Sequence, residues 1–363
     1  MPSSLSEQDL PTDQQADDGQ RESSQELNCS PSESSGKAFP TTTRLDKFLR
    51  VLGSTNVDLD ELRKLSWNGI PHMCRPMAWQ LLMAGGYLPC NANRRDQTLL
   101  RKRKEYSDWA RRTFSKGESA LDSALWHQIS IDVPRTVPVS KLFRHEPIQK
   151  ARPFHSRQCV AGYVQGINDL VTPFYMVFLS SYLEGDPEKC NPDGLSQSII
   201  NDVEADSFWC LTKLLDGIQD NYTHAQPGIQ RQLVKLKDLV SRINEKLTRH
   251  LESQGLEFIQ FAFRWINCLL VREFSLANTI RMWDTYLAEP SGYSEFHIYV
   301  CAAFLLRWAD TLLKMDFQDL ILFLQSPPTS DWTHKDIELV LSEAYMLKCL
   351  YHSAPKHLDA PTR

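Results

Sequence analysis

Apolar positions recur three and four residues apart along most of the chain, the spacing of one face of a helix. Leu45, Phe48, Leu49 and Leu52 predict a short amphipathic helix over Arg44–Leu52, and a second is expected over Asp58–Leu65. Pro71 is suited to open a helix over Met73–Leu82, since a proline at a helix start forfeits no hydrogen bond, and Gly85-Gly86 to end it. A strongly basic helix follows over Arg94–Arg112. Further on, Leu170–Leu183 and Asp206–Ile218 read as largely buried. Leu233, Leu236, Val240, Ile243, Leu247 and Leu251 form one long amphipathic stripe. Phe258, Phe261, Trp265 and Leu269 continue the period, followed by Leu276–Leu287, Phe296–Leu313, Phe317–Leu324 and Lys335–Tyr351. Sustained period-two alternation is absent, and no solenoid-length repeat is visible. The expected fold is all-α, one extended domain of roughly a dozen or more helices.

Composition divides the 363 residues unevenly. Residues 1–43 are rich in Ser, Gln, Asp and Glu and carry eight acids against two bases, a charge of −6. The whole chain is −5, so the remainder is close to neutral. A segment so poor in apolar residues cannot offset its ordering entropy, and 1–43 is expected to be a disordered acidic tail. The domain is expected over 44–355, with a short C-terminal tail at 356–363. A neutral globule offers no electrostatic case for nucleic acid. The eight Lys/Arg of Arg94–Arg112, against three acids, are expected to form a solvated face.

Nine cysteines without a CxxC pair or a Cys/His cluster at ligand spacing imply a reducing compartment, no disulfide framework and no metal site. Cys210, Cys268, Cys301 and Cys349 lie in apolar helical contexts, where thiols pack as small hydrophobes. Trp79, Trp209, Trp265 and Trp283 are expected core anchors. The start of the chain does not resemble a secretory signal, and Leu170–Leu183, broken by Thr172, Pro173 and two serines, is too short to span a bilayer. A cytoplasmic protein without a transmembrane segment is expected.

Two stretches present a polar side chain where helix is disfavoured. Pro134 and Pro138 bracket Arg135, and Gly162 and Gly166 bracket Gln165. An arginine that neutralises phosphate charge and a glutamine that orients water are the parts a GTP-hydrolysing site most often lacks. Singly each is weak: such an arginine is usually an exposed loop residue, and Asp132 reads first as a local cap or ion-pair partner.

Together they form an ordered set. Trp67-x-Gly69-Ile70-Pro71 is followed by Arg75-x-x-x-Trp79. Next come Ile129-x-x-Asp132-x-x-Arg135-Thr136 and Gly162-Tyr163-Val164-Gln165-Gly166-Ile167-Asn168-Asp169. Weaker pieces are Ala205-Asp206-x-Phe208-Trp209, Arg272-Glu273-Phe274 and Arg281-Met282-Trp283-Asp284. Over roughly residues 60–350 this set resembles the TBC domain of Rab GTPase-activating proteins, and Glu204–Gln230 looks most like the family-member-22 type. The resemblance implies an all-helical fold and a Rab-family small GTPase as partner. It implies that Arg135 is an arginine finger and Gln165 a glutamine finger replacing the GTPase's own. Asp132 would hold the arginine loop and pair with Arg75, Tyr163 would position Gln165 and touch the GTPase, and Trp79 would pack. Asn168 belongs to the same supporting set. GTP and Mg²⁺ would belong to the partner, so no cofactor is expected, and membrane association would be peripheral, at Golgi or endosomal surfaces.

One segment departs from the family pattern. Residues 149–161 contain Pro153 and lack a helical stripe where TBC domains carry an apolar helix. Proline costs about 3 kcal/mol inside a helix. The segment reads either as a variable loop or as the trace of a core helix lost through splicing or a misread exon boundary. It motivates an alternative class, a GTPase-binding scaffold without activation. A lipid or nucleic-acid binder resting on Arg94–Arg112 is the third class.

Overall fold

The computed structural model describes residues 43–83, 86–114, 166–183 and 195–352, together with His127 and Ile131. The expected tail before Thr43, the segment 149–161, the C-terminal tail, and Asp132, Arg135, Tyr163 and Gln165 lie outside the described residues. The regular elements among the described residues are helices joined by turns and loops, with an isolated bridge between Asn56 and Asn91 and no strand.

Local chemistry accounts for most helix starts. Helix α1 (Arg44–Leu52) opens on a capping box in which Thr43 and Asp46 satisfy each other's backbone amides, and it buries Phe48, Val51 and Leu52. Helix α2 (Leu59–Ser66) is capped by Asp58, which accepts from the amides of Asp60 and Glu61 at 2.9 and 3.1 Å. A 3₁₀ turn at His72–Cys74 leads into α3 (Arg75–Leu82), so the helix expected from Met73 starts with a tighter turn. Helix α4 spans Ala92–Phe114.

Helix α5 (Ile167–Leu179) is buried on every side, which suits its nearly uninterrupted apolar sequence. It packs against α6 (Gln197–Gly217) and α3. Two stripes read as continuous are broken. The run Leu233–Leu251 is two helices, α7 (Pro227–Ile243) and α8 (Glu245–Ser253), because Asn244 leaves helical geometry and caps α8 by accepting from the Leu247 amide at 3.0 Å. Its apolar side chains still reach the core, so periodicity alone could not reveal the break. After α9 (Ile259–Asn267) and α10 (Leu276–Ala288), the run Phe296–Leu313 divides into α11 (His297–Leu306) and the single turn α12 (Ala309–Leu312). There Trp308 leaves the helix to pack on Phe323 and Trp332. Helices α13 (Phe317–Gln325) and α14 (His334–Tyr351) complete the order. Helix α10 touches α2, α3 and α5 as well as α14, so it links the N-terminal helices to the C-terminal part of the core, where α11 packs on α7, α9 and α14.

Helix α4 corrects the solvated-face expectation. Arg95 is buried and donates to the carbonyls of Leu52 and Cys90 at 2.9 and 2.6 Å. Arg103 reaches Asp202 and the buried Asp206 of α6, both at 2.7 Å. Lys102 sits 3.9 Å from the ring of Trp209, whose indole donates to the Lys102 carbonyl. These bases attach α4 to its neighbours; the rest of its charge faces water. Trp79, Trp265 and Trp283 are fully buried as expected, whereas Trp209 is half-buried under that lysine. Of the four singled-out cysteines, Cys349 is exposed on α14, since one turn there faces away from the core.

Beside Arg103, Tyr106 donates to the buried Glu204 at 2.7 Å. Burial pushes the Glu204 carboxyl up to about 7, against a smaller opposing effect of the Tyr106 hydroxyl. Burial holds His297 down at about 4, between Tyr286 and the Trp265 carbonyl. A raised carboxyl contributes stability below its unfolded value of 4.5 that is lost as pH rises to about 7. A lowered imidazole contributes stability above 6.5 that is lost as pH falls to about 4. The two slopes oppose each other in the same window. Glu204→Gln should therefore gain stability over the wild type, by up to about 3 kcal/mol, between pH 4.5 and 7. Urea unfolding at several pH values tests this; a difference that stays constant would rule it out.

Candidate functional site

The first motif closes on α10. Trp79 donates to Asp284 Oδ1 at 2.7 Å, and Arg75 donates through Nε and Nη2 at 3.0–3.2 Å. The Ile70 amide donates to Asp284 Oδ2 at 2.9 Å. Asp284 is fully buried, and its neighbour Trp283 stacks on Trp79 at 6.3 Å. A carboxylate so placed is stable only because its oxygens are saturated by donors, one of them charged. Among the described residues the carboxylate that Arg75 meets is thus Asp284; the expected partner Asp132 lies outside them. Gly69 explains its own place in the motif: its φ is +92°, and a β-carbon there would lie 2.9 Å from Nε of the buried Arg281. These bonds tie Arg75 and Trp79 of α3 to α10.

The third motif is described from Gly166 onward. Gly166 caps the start of α5 in the left-handed region, φ +103°. Asn168 and Asp169 are buried in the first helical turn. Asp169 receives the Arg272 Nε at 2.8 Å and the Cys268 thiol at 3.7 Å. Negative charge in a first helical turn is favoured by the helix dipole as well. Burial, followed by the Asp169 charge, pushes the Cys268 thiol well up, so it is a neutral donor and no nucleophile.

The segment after α9 forms the other wall. Leu269 donates to the Ile266 carbonyl and Leu270 to the Trp265 carbonyl, the pattern of a Schellman helix end. Glycine usually fills the left-handed position of that motif, but here Leu269 and Leu270 have φ of +47° and +60°. Each such leucine costs about 1–2 kcal/mol in backbone strain. Both side chains are fully buried, and burying a leucine contributes about 1.5–3 kcal/mol, which offsets the strain. The turn directs Asn267 and Cys268 at Gly166: a β-carbon on that glycine would lie 2.5 Å from Asn267 Nδ2 and 3.0 Å from Cys268 Sγ. Gly166→Ala is therefore expected to destabilise the chain by at least about 1–2 kcal/mol. A neutral effect in chemical denaturation would show that the Asn267 amide can move aside.

Arg272-Glu273-Phe274 now has a physical reading. Arg272 holds α5, Glu273 accepts both arms of Arg264 at 2.7 and 2.8 Å, and Phe274 stacks on Trp332. Sequence reasoning quoted this motif, Asp169 and Asp284 without assigning them roles, and it missed Asn267 altogether. The available signal was an apolar helix that ends on an asparagine with no following glycine. Among the described residues no group of three or more His, Cys, Asp or Glu could hold a metal ion.

A family model for the Rab-GTPase-TBC domain matches residues 72–313. The chain belongs to the Rab-GTPase-TBC domain family. This TBC chain is 53% identical over 325 residues to the GTPase-activating protein gyp1 of Schizosaccharomyces pombe, covering 87% of this chain and 63% of that protein. It is 50% identical over 321 residues to human TBC1 domain family member 22B, again covering 87% and 63%. The family-member-22 likeness read from Glu204–Gln230 is thereby supported along most of the chain. The chain thus spans less than two thirds of the length of these curated relatives. The crystal structure of the Ypt/Rab-GAP domain of Gyp1p superimposes with a TM-score of 0.80 at 51% identity, covering 85% of this chain and 98% of that one. The all-α TBC architecture follows from both model and structure.

Proposed function

We propose that this TBC chain is a GTPase-activating protein for a Rab-family small GTPase, acting through Arg135 and Gln165 in trans. The observation that carries the reading is the anchored start of α5. The motif glycine directly after Gln165 is clamped by Asn267 and Cys268, and its first turn is tied to Arg272. Such anchoring suits a side chain that must hold a water molecule in line with a phosphorus atom. The relatives named as GTPase-activating proteins support the same reading.

In this mechanism a water oxygen attacks the γ-phosphorus and GDP leaves. The Arg135 guanidinium, which cannot deprotonate and matches phosphate oxygens, neutralises charge that grows in the transition state. The Gln165 amide both accepts from and donates to the attacking water and its surroundings. Asp132 and Tyr163 steady the two loops, and Asn168 supports the glutamine from the first turn of α5. The nucleotide and Mg²⁺ arrive with the GTPase, so this chain needs no cofactor of its own. No helix among the described residues is long and apolar enough to cross a membrane. We place the protein in the cytoplasm, recruited to Golgi or endosomal membranes through its partner.

Single-turnover GTP hydrolysis over a panel of Rab proteins tests the proposal; acceleration of at least one is expected. The second reading, a scaffold, is favoured by the family-atypical segment 149–161. Nucleotide-dependent Rab binding with no acceleration at saturating protein would select it.

A further inference from the structure

We propose that Ser326 is a phosphorylation site for a proline-directed serine kinase, with the Arg264 guanidinium as the receptor of the phosphate.

Ser326 ends α13. Its backbone leaves the helix at φ −146° and ψ 68°, its amide donates to the Leu322 and Phe323 carbonyls at 3.1 and 3.2 Å, and Pro327-Pro328 follow. A proline-directed kinase reads a hydroxyl residue directly before a proline, which offers no amide N–H and holds the residue before it extended. Among the described residues Thr172 and Ser326 precede a proline. Thr172 is fully buried inside α5, whereas Gln325, Ser326, Pro328 and Ser330 are exposed. The end of α13 is also lightly held, since the helix buries only Leu320 and Leu324.

A helix stop explains the prolines but not the arginine beside them. Arg264 of α9 donates through Nη2 to the Gln325 carbonyl at 2.6 Å, one peptide group from Ser326. Its Nε and Nη2 also grip the buried Glu273 at 2.7 and 2.8 Å. Its Nη1 makes no hydrogen bond among the described residues, and the side chain is 34% exposed. One edge of the guanidinium thus neutralises a buried acid while Nη1 stays open for phosphate oxygens. Phosphorylation adds close to two negative charges, which the end of a helix dipole disfavours, so a phosphate on Ser326 needs a cation and Arg264 supplies it. In the reaction Ser326 Oγ bonds to the γ-phosphorus of ATP, the bond to ADP breaks, and the hydroxyl proton passes to the kinase's base. The product ties the loop after α13 to α9.

The test incubates the full chain and ATP with a purified cyclin-dependent kinase and, separately, a mitogen-activated one, and locates phosphate by mass spectrometry. Wild type is expected to carry phosphate at Ser326, and Ser326→Ala to lack it there. Phosphorus NMR then titrates the phosphoserine. Its second ionisation, ordinarily near pH 6, is expected about 0.5–1 lower beside Arg264. The double variant Arg264→Met/Glu273→Leu removes the ion pair without stranding either charge, and its phosphoserine should titrate near about 6 again. If that variant does not fold, Arg264→Lys decides: an ammonium held by Glu273 has no second edge to offer, and the same return is expected. No phosphate at Ser326 from either kinase, phosphate confined to Ser30, which also precedes a proline, or a wild-type phosphoserine that titrates as its variants do would each overturn the proposal. None of these readouts uses a GTPase, so they stand or fall apart from the activity proposed above.

Discussion

Replacing Arg135 with alanine is expected to remove nearly all acceleration of GTP hydrolysis while leaving Rab binding and thermal stability close to wild type. In Ras-type hydrolysis an arginine supplied in trans is worth about 10³–10⁵ in rate. By transition-state arithmetic this is roughly 4–7 kcal/mol. Arg135→Lys should recover little, since an ammonium keeps the charge but lacks the planar fork that pairs with two phosphate oxygens. The measurement is single-turnover hydrolysis at saturating protein, with affinity determined separately on a non-hydrolysable nucleotide. A variant that retains full acceleration would refute the finger assignment for Arg135, whatever Rab is used.

The largest effect on stability is expected at Asp284. Asp284→Ala removes the acceptor shared by Arg75, Trp79 and the Ile70 amide, and leaves the Arg75 guanidinium, 17% exposed, without its carboxylate. Breaking a buried ion pair from one side costs about 3–5 kcal/mol. At roughly 2–4 °C per kcal/mol for a domain of this general size, the thermal midpoint should fall by about 10 °C. Arg75→Ala should cost a comparable amount, because it strands the fully buried carboxylate instead. The double variant should be less destabilised than the sum of the two, since neither charge is then left facing an empty site. Additive losses in chemical denaturation would show that the pair is not the unit that holds α3 to α10.

Most elements were legible because their apolar residues repeat at helical spacing and their starts carry local signals. Pro71 marks one beginning in the sequence itself, and the caps that the structure shows at Thr43 and Asp58 act on groups within a few residues of the terminus they serve. The breaks were not legible. Leu233–Leu251 keeps its period through Asn244, and α9 ends before Leu269 although that leucine continues the apolar pattern. Arg95, Lys102 and Arg103 looked like solvated charge because their acceptors lie on other elements: the Leu52 carbonyl, Trp209, Asp202 and Asp206.

The candidate site divides in the same way. The sequence by itself determined the fold class, the family, and the pairing of an arginine between prolines with a glutamine between glycines. Period, turn residues and motif order are all properties of the chain read in one dimension. Tertiary structure alone decided which acid Arg75 would meet, that Arg272 would reach Asp169, and that Asn267 would press on Gly166. Those partners are separated by about a hundred residues or more, and no local preference links them. They meet because burying the faces of α3, α5, α9 and α10 in one core leaves each buried polar group only the donors and acceptors that packing brings to it.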